Sequence, residues 1–383
     1  MGRCLGVVGS GPGLGRDIAP RRLPTLLGFI VLGLFWGAWA AVLPSVQEAT
    51  GASKGALGLA LLFISLGALP AMLFVAGPAV DRYGARAVAV ACAAFAVAAT
   101  LPGLASSLPG LILALLAAGA TSGSLDVGIN AKAARIEAQT GRRLMPLAHG
   151  LYSVGILVGA VAAGIARSQG AEREQILAAV AIVTAITAVV LAADRPNAEL
   201  GHGERSIRIE RALLLIGLVG AAAFVVEGGI ESWSALFLER QLHAHPAVSG
   251  LGPGVFGASM AAGRFYGQTT RFSDRTLLAG GAALASAGCV IAATAPTSGV
   301  ALAGFALGGA GISLNAPVVF GAAGRVSASA VATVTTLGYV GLLVGPPLVG
   351  TAAQVFSLRG SFLVLAAVAA AVAAAATRLR IRQ

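Results

Sequence analysis

The chain has 383 residues, of which 57% are hydrophobic and 11% are charged, and it carries a formal net charge of +11. A soluble domain has about a quarter charged residues and does not arrange its apolar residues in a dozen runs of about 20, the length that crosses a bilayer. The composition therefore predicts an integral membrane protein, in which the positive charge belongs to membrane-facing loops and not to a nucleic-acid site.

Apolar runs separated by charged or turn-rich segments predict twelve transmembrane helices. Their expected bounds are 24–46, 54–78, 86–104, 108–131, 146–168, 174–193, 211–238, 247–270, 277–295, 298–322, 327–354 and 360–377. The expected organisation is a flexible cytoplasmic N-terminal tail (1–23), a six-helix bundle (24–193), a cytoplasmic linker (194–210), a second six-helix bundle (211–377) and a cytoplasmic C-terminal tail (378–383).

The basic residues are distributed unevenly over this span pattern. Of the 26 Lys and Arg residues, 21 fall in segments on the same side as the N-terminus. The five on the opposite side are Lys54, Arg167, Arg173, Arg240 and Arg359. Because cytoplasmic loops hold the excess of positive charge, both termini are predicted to be cytoplasmic.

Short stretches repeat across the linker. GPAVDRYGAR (77–86) and GQTTRFSDR (267–275) begin 190 positions apart, and SLD (124–126) is answered by SLN (313–315). Repeats of this kind are typical of transporter folds, in which the site lies between two similar bundles. The expected fold class is therefore all-α, with two pseudo-symmetric six-helix bundles.

GPAVDRYGAR resembles the signature between the second and third helices of the major facilitator superfamily, which it matches at Gly77, Asp81, Arg82, Gly84 and Arg86. Four further stretches are similar to a bacterial branch of this superfamily related to sugar permeases. They are LDVGINAKAARIE, LMPLAHGLYSVG, EGGIESWSALFL and GYVGLLVGPPLVG. The resemblance implies a twelve-helix transporter of the bacterial inner membrane and a polar solute.

We call residues 77–86 the gate loop. Gly84 allows a sharp turn, Asp81 is able to cap a helix N-terminus, and Arg82 and Arg86 suit the anionic lipid interface. Positive-inside anchoring alone would explain the arginines but not the Asp between two glycines. We expect a latch between two conformations, because helix-end charge contacts of about 0.3–2 kcal/mol are readily broken and remade.

Asp126 lies within the fourth span, where an ionisable side chain is expensive and must face a cavity or a partner. Ser122, Asp126 and Asn130 recur every four residues and share one helix face. His149 and Tyr152 of the fifth span are expected at a similar depth, so Asp126 and His149 are candidates to share a proton. The alternative is a structural ion pair or a helix cap.

Glu227 of the seventh span is the third candidate for proton coupling. The two glycines that follow it, Gly228 and Gly229, favour a bend in the helix there. Glu231 is expected near the outer edge of the membrane, in a structural role.

Two aromatic residues, Trp36 and Tyr339, are expected near mid-membrane, about 18 Å into their spans. Together with Tyr152, Asn130 and Asn315, the repeat counterpart of Asp126, they form the predicted solute-binding set. For the aromatics the alternative is core packing, and for Asn130 it is a hydrogen bond between helices.

The leading hypothesis is a monomeric secondary transporter that moves a small polar, sugar-like solute together with protons by alternating access. A proton-coupled efflux antiporter for amphipathic compounds and a non-transporting membrane sensor remain alternatives. The chain lacks a phosphate-binding Gly-Lys-Ser loop, a metal-binding cluster and a nucleophile motif, so we expect no cofactor, no metal and no enzymatic activity.

Overall fold

The computed structural model describes residues 19–140, 144–194, 211–267, 270–325 and 328–379. Much of the predicted tails and linker, residues 1–18, 195–210 and 380–383, lies outside the described residues. Within the described ranges the chain is helical and contains no strand.

The described residues form fifteen α-helices, numbered here in chain order, and one π-helix. Their bounds are α1 Ala19–Thr50, α2 Lys54–Pro70, the π-helix Ala71–Ala76, α3 Gly77–Tyr83, α4 Ala85–Ala98, α5 Leu101–Leu104, α6 Leu108–Thr140, α7 Met145–Ser168, α8 Arg173–Ala192, α9 Arg211–Gln241, α10 Pro246–Ser249, α11 Leu251–Gly267, α12 Asp274–Thr294, α13 Ser298–Ile312, α14 Asn315–Gly324 and α15 Ala328–Ala376.

These helices agree with the twelve predicted spans. Ten helical stretches of the described chain are long and apolar enough to cross a membrane. The longest, Leu337–Ala376, contains two helices, because Ser357 leaves the helical conformation with φ +86°. The 17-residue α11 occupies the predicted eighth span. The protein is an all-helical integral membrane protein.

The same helix pairs pack in both halves of the chain. In the N-terminal half (α1 to α8), α1 contacts α7, α2 contacts α6, and α4 contacts α8. In the C-terminal half (α9 to α15), α9 contacts α15, α11 contacts α13, and α12 contacts α15. The two halves meet where α2 packs on α15, α7 on α11 and α1 on α9. Two pseudo-symmetric bundles therefore enclose a central interface.

An arginine makes the same contact in each half. The Nε atom of Arg173, at the start of α8, donates to the carbonyl oxygen of Gly103 at 2.7 Å. The Nη1 atom of Arg359, just after the break in α15, donates to the carbonyl oxygen of Ala293 at 2.7 Å. Both carbonyls lie at a helix C-terminus, where acceptors have no intrahelical donor and a cation is favoured.

Glycines let α1 and α7 cross at backbone distance. A Cβ atom on Gly155 would lie 2.5 Å from the carbonyl oxygen of Ile30, and one on Gly159 would lie 2.2 Å from that of Leu34. These two glycines permit the close helix crossing, because no larger side chain fits at either position.

Glycines also bring the two halves together. A Cβ atom on Gly58 of α2 would lie 2.8 Å from the Cα atom of Gly350 in α15. A Cβ atom on Gly164 of α7 would lie 3.0 Å from the Cα atom of Gly250, which follows α10. The halves are thus in backbone contact near the ends of these helices, where any side chain would separate them.

The gate loop is more helical than its name implies. Gly77–Tyr83 forms α3, and only Gly84, with φ +55° and ψ −128°, interrupts the helix before α4 begins. The turn is therefore a single residue, and its positive φ favours glycine. The start of α4 has no side-chain cap, so Asp81 does not cap this neighbouring helix.

Candidate functional site

A cavity of about 340 Å³ lies between the two halves and is lined by residues from both. The N-terminal half contributes α1, α2, the π-helix, α6 and α7, and the C-terminal half contributes α9, α11 and α15. The titratable side chains that line it are Asp126, His149, Tyr152, Glu227, Glu231, Arg264 and Tyr339. A central position between two bundles is where transporter folds place their solute.

Asp126 faces the cavity from α6, together with Ser122 one turn earlier. The side-chain amide of Asn130 donates to Asp126 Oδ1 and to the Asp126 carbonyl oxygen, each at 2.9 Å. Asn130 itself is outside the cavity lining. Its amide therefore holds the Asp126 carboxylate from the side away from the cavity. This is a structural hydrogen-bonding role within α6. Among the described residues, no cation forms an ion pair with Asp126.

His149 lines the same cavity but does not form the expected pair with Asp126. Its ring packs edge-on against Phe29, with centroids 5.4 Å apart. No hydrogen bond joins the His149 and Asp126 side chains in the described structure. Both residues line the cavity, but the imidazole of His149 is directed toward α1.

The C-terminal half places an ion pair in the cavity wall. Glu227 of α9 lies with its Oε1 atom 3.6 Å from Nη2 of Arg264 on α11. The Glu227 Oε2 atom is buried and has no hydrogen-bond partner. A buried, half-satisfied carboxylate is energetically unfavourable, so this position is poised to gain a further partner.

Arg264 is the functional candidate that the sequence interpretation missed. It was counted among the cytoplasmic arginines, whereas the structure places it in the cavity. The available signal was its position inside the apolar run predicted for the eighth span.

Glu231 requires a correction as well. The expected position was the outer edge of the membrane, but the side chain lines the cavity one helical turn after Glu227. The helix α9 is unbroken over Arg211–Gln241 and runs through Gly228 and Gly229. A Cβ atom on Gly229 would lie 2.9 Å from Leu365, so this glycine makes room for packing.

The predicted aromatic residues Trp36, Tyr152 and Tyr339 all line the cavity. Trp36 packs against Phe35 in a T-shaped arrangement, with centroids 5.0 Å apart. Asn315, in contrast, is buried outside the cavity lining, and its amide donates to the carbonyl oxygen of Gly220 at 3.4 Å. The repeat counterparts Asp126 and Asn315 thus occupy different environments.

The gate loop lies outside the cavity lining, at the opposite end of the second span from Lys54. Gly77 is buried, Asp81 is half-buried, and Arg82 and Arg86 are exposed. The Arg82 guanidinium lies over the Tyr83 ring, 5.5 Å from its centroid. The loop is therefore placed to affect conformation and not to touch a solute in the cavity.

Ion pairs join the two halves at the Lys54 end of the spans. Arg167 of α7 pairs with Glu239 of α9 at 2.8 Å, and Arg240 of α9 pairs with Glu48 of α1 at 3.0 Å. At the gate-loop end, the ion pairs of the described residues stay within one half. These pairs are Lys132 with Asp194 and Arg325 with Asp274. Cross-half ion pairs in the described chain thus close only one end.

The chain is similar to known transporters along nearly all of its length. Residues 25–327 match the Major Facilitator Superfamily. An uncharacterised MFS-type transporter of Yersinia pestis is 33% identical over 376 residues, which cover 95% of this chain and 96% of that protein.

Solved structures have the same architecture. The D323A mutant of the nucleoside transporter NupG superposes with a TM-score of 0.78 at 13% identity, and the match covers 94% of this chain and 100% of that chain. The E. coli fucose:proton symporter FucP superposes with a TM-score of 0.62 at 17% identity, covering 94% and 98%. At these identities the likeness concerns the fold. The match over residues 25–327 and the 33% identical relative establish that the chain belongs to the Major Facilitator Superfamily, and it is a secondary transporter and not an enzyme.

Proposed function

We propose that this protein carries a small polar solute across the bacterial inner membrane in symport with protons, as a monomer with both termini in the cytoplasm. The observation that carries the proposal is the state of Asp126. Its carboxylate faces the central cavity, receives a hydrogen bond from Asn130, and forms no ion pair with any described residue.

A carboxylate in that position needs a positive partner. Burial of an unpaired charge in a low-dielectric bundle is strongly unfavourable, so the group is neutralised by a proton or by an ion pair. Glu227 has Arg264 as its partner, whereas Asp126 does not. A proton that enters the cavity with the solute is therefore expected to reside on Asp126.

The cavity wall suits a polar solute of sugar size. A volume of about 340 Å³ is at the lower end of the range for small-molecule sites. Trp36 and Trp39 offer flat apolar faces, and Ser65, Ser122 and Ser153 offer hydroxyl groups. Aromatic faces combined with hydroxyls match the alternating apolar and polar surface of a polyhydroxylated ring.

Alternating access follows from the way in which the halves meet. The cross-half ion pairs close the end that the charge distribution assigns to the outside. Release of those pairs, with closure at the gate-loop end, would expose the cavity to the other side. Such a cycle requires that solute and proton bind the two conformations with different affinity.

The test uses purified protein in proteoliposomes, screened with labelled hexoses, pentoses, nucleosides and amino sugars under a pH gradient of either sign. We expect accumulation of a solute when the compartment of origin is acidic. Asp126→Asn should retain solute counterflow but lose accumulation driven by the proton gradient, because the amide cannot exchange a proton.

Asp274→Asn is the matched control, because Asp274 pairs with Arg325 far from the cavity, and it should retain both activities. Unchanged proton-driven accumulation in Asp126→Asn would overturn the assignment of Asp126. Accumulation that requires an acidic destination would identify the antiporter instead.

A further inference from the structure

The cavity contains more acidic than basic groups. Its lining includes the carboxylates of Asp126, Glu227 and Glu231. The guanidinium of Arg264 is the basic group in the lining. Three carboxylates against one guanidinium correspond to two excess negative charges if the imidazole of His149 is left out of the count. An excess of this size is stable only if cations or protons enter, because an uncompensated buried charge is strongly disfavoured.

The arginine is already engaged by one of the carboxylates. Arg264 approaches Glu227 at 3.6 Å, and it also lies within electrostatic range of His149, Tyr152 and Glu231. An anionic solute would have to displace Glu227 to reach this guanidinium, and it would meet the remaining carboxylates. The arrangement therefore disfavours a solute with a carboxylate or phosphate group.

Of the three cavity carboxylates, Glu231 is the one without a hydrogen-bond or ion-pair partner among the described residues. It lies four residues after Glu227, so both side chains are on the same face of α9. In the described part of the chain it makes neither an ion pair nor a hydrogen bond. The groups that face it are Glu227 on its own helix, Arg264 on α11 and Tyr152 on α7.

We propose that Glu231 binds a protonated amine of the transported solute, so that the solute is a small hydroxylated amine. This inference rests on the proposed function and names the chemical class of its solute. One ammonium group on Glu231 and one proton on Asp126 together balance the two excess negative charges. The loaded cavity is then neutral. A neutral cavity has the smallest desolvation cost when the protein closes around the solute.

The aromatic wall is compatible with this assignment. Trp36, Trp39, Tyr152 and Tyr339 line the same cavity. The face of an aromatic ring attracts an ammonium group, most strongly where water is excluded. Hydroxyl groups elsewhere on the solute would meet the serine side chains, and the amine would be directed to the α9 carboxylate.

The experiment compares solutes that differ in one group. Full-length protein in nanodiscs at neutral pH, without any gradient, is titrated with D-glucosamine, D-glucose and N-acetyl-D-glucosamine, and with ethanolamine and ethylene glycol. Binding is read from tryptophan fluorescence, since two of the three tryptophans, Trp36 and Trp39, line the cavity. We expect the amine of at least one pair to bind about tenfold tighter than its neutral twin, the usual size of one gained charge contact.

Glu231→Gln should abolish the preference for the amine, leaving the members of each pair within about twofold of each other. Glu174→Gln, an acid-to-amide change outside the cavity lining on α8, should leave the preference intact. The proposal is overturned if the wild-type protein binds no amine more tightly than its neutral twin, or if the preference survives in Glu231→Gln.

The outcome is independent of proton coupling. Asp126→Asn should keep the preference for amines, because Glu231 is unchanged in that variant. A preference for amines without proton-driven accumulation would refute the symport mechanism alone. Proton-driven accumulation of a neutral solute, without any preference for amines, would refute the role of Glu231 alone.

Discussion

Arg167 and Glu239 form a two-pronged ion pair that joins the two halves of the transporter. Nη1 of Arg167 donates to Oε2 of Glu239 at 2.8 Å, and Nη2 donates to Oε1 at 2.9 Å. Nε of Arg167 donates to Ser45, and Ser249 donates to Glu239. The side chains are only 8% and 15% exposed. Fully bonded and shielded from water, this pair is the strongest polar link between the halves at that end.

Glu239→Gln should therefore open the Lys54 end, which the proposed orientation places on the outside. The substitution leaves the buried Arg167 charge without its counter-ion, which typically costs about 3 kcal/mol or more, and it does so only in the closed conformation. We expect labelling of a cavity cysteine, Ser65→Cys, by an impermeant maleimide from the outside to rise by well over a factor of about ten, since about 1.4 kcal/mol corresponds to a factor of ten. The background lacks Cys4, Cys92 and Cys289.

Glu48→Gln is the matched control for this opening. It removes the other cross-half pair, with Arg240, but Glu48 is 74% exposed. An exposed ion pair contributes about 0–1 kcal/mol, so labelling should change by less than about fivefold. Equal effects of the two substitutions would show that burial of the Arg167 pair does not hold the outer end closed.

Asn130 should support proton coupling through Asp126. Asn130→Ala removes the amide that donates to the Asp126 carboxylate, so we expect proton-driven accumulation to fall several-fold while counterflow stays nearly unchanged. Asn315→Ala changes the repeat counterpart, which lies outside the cavity lining, and should leave coupling intact. A similar loss in both variants, measured in proteoliposomes, would indicate a general structural effect.

Asp81 should affect the rate of the cycle more than the binding of solute. Because it lies outside the cavity lining at the end of the second span, Asp81→Asn can bias only the two global conformations. We expect net transport to slow several-fold with equilibrium affinity unchanged within a factor of a few. The two quantities come from initial uptake rates and from tryptophan fluorescence titration. A large loss of affinity with an unchanged conformational equilibrium would contradict the latch role.

Gly37→Ala should destabilise the N-terminal half. A Cβ atom there would lie 2.0 Å from the carbonyl oxygen of Ile156, so α1 and α7 would have to move apart. Overpacking of this kind costs about 1–3 kcal/mol, and the melting temperature should fall by several degrees in a fluorescence-detected size-exclusion assay. Gly299→Ala introduces a Cβ atom into open space and should melt as the wild type does.

The sequence predicts the membrane fold well because span length and charge asymmetry are local properties. It also identifies Asp126 and Glu227, since an acidic residue inside an apolar run is conspicuous. It fails for Arg264, because counting basic residues treats an arginine near a span end as a lipid anchor. Glu231 was placed at the edge because the span was expected to end at 238, whereas α9 continues to Gln241.

Contacts between helices are harder to predict from the sequence. Depth along a span follows from residue counting at about 1.5 Å per residue. The rotation of one helix against the next depends on packing, and glycines such as Gly33 and Gly155 set it between α1 and α7. For this reason the sequence does not show that the imidazole of His149 packs against Phe29 of α1.

Arg173 and Arg359 make equivalent contacts in the two six-helix halves, as expected for a repeated structural unit. The helix packing is similar in the two halves, but the cavity residues differ. Both arginines still close the end of a neighbouring helix, whereas Asp126 and Asn315 no longer share a task. If the two halves were identical, each side chain in the cavity wall would occur twice. The proton and the solute would then meet the same set of binding residues in both halves. Once the copies are fused in one chain, each is free to specialise, and the proposed roles of Asp126 in proton coupling and of Glu231 in solute binding use one residue from each half.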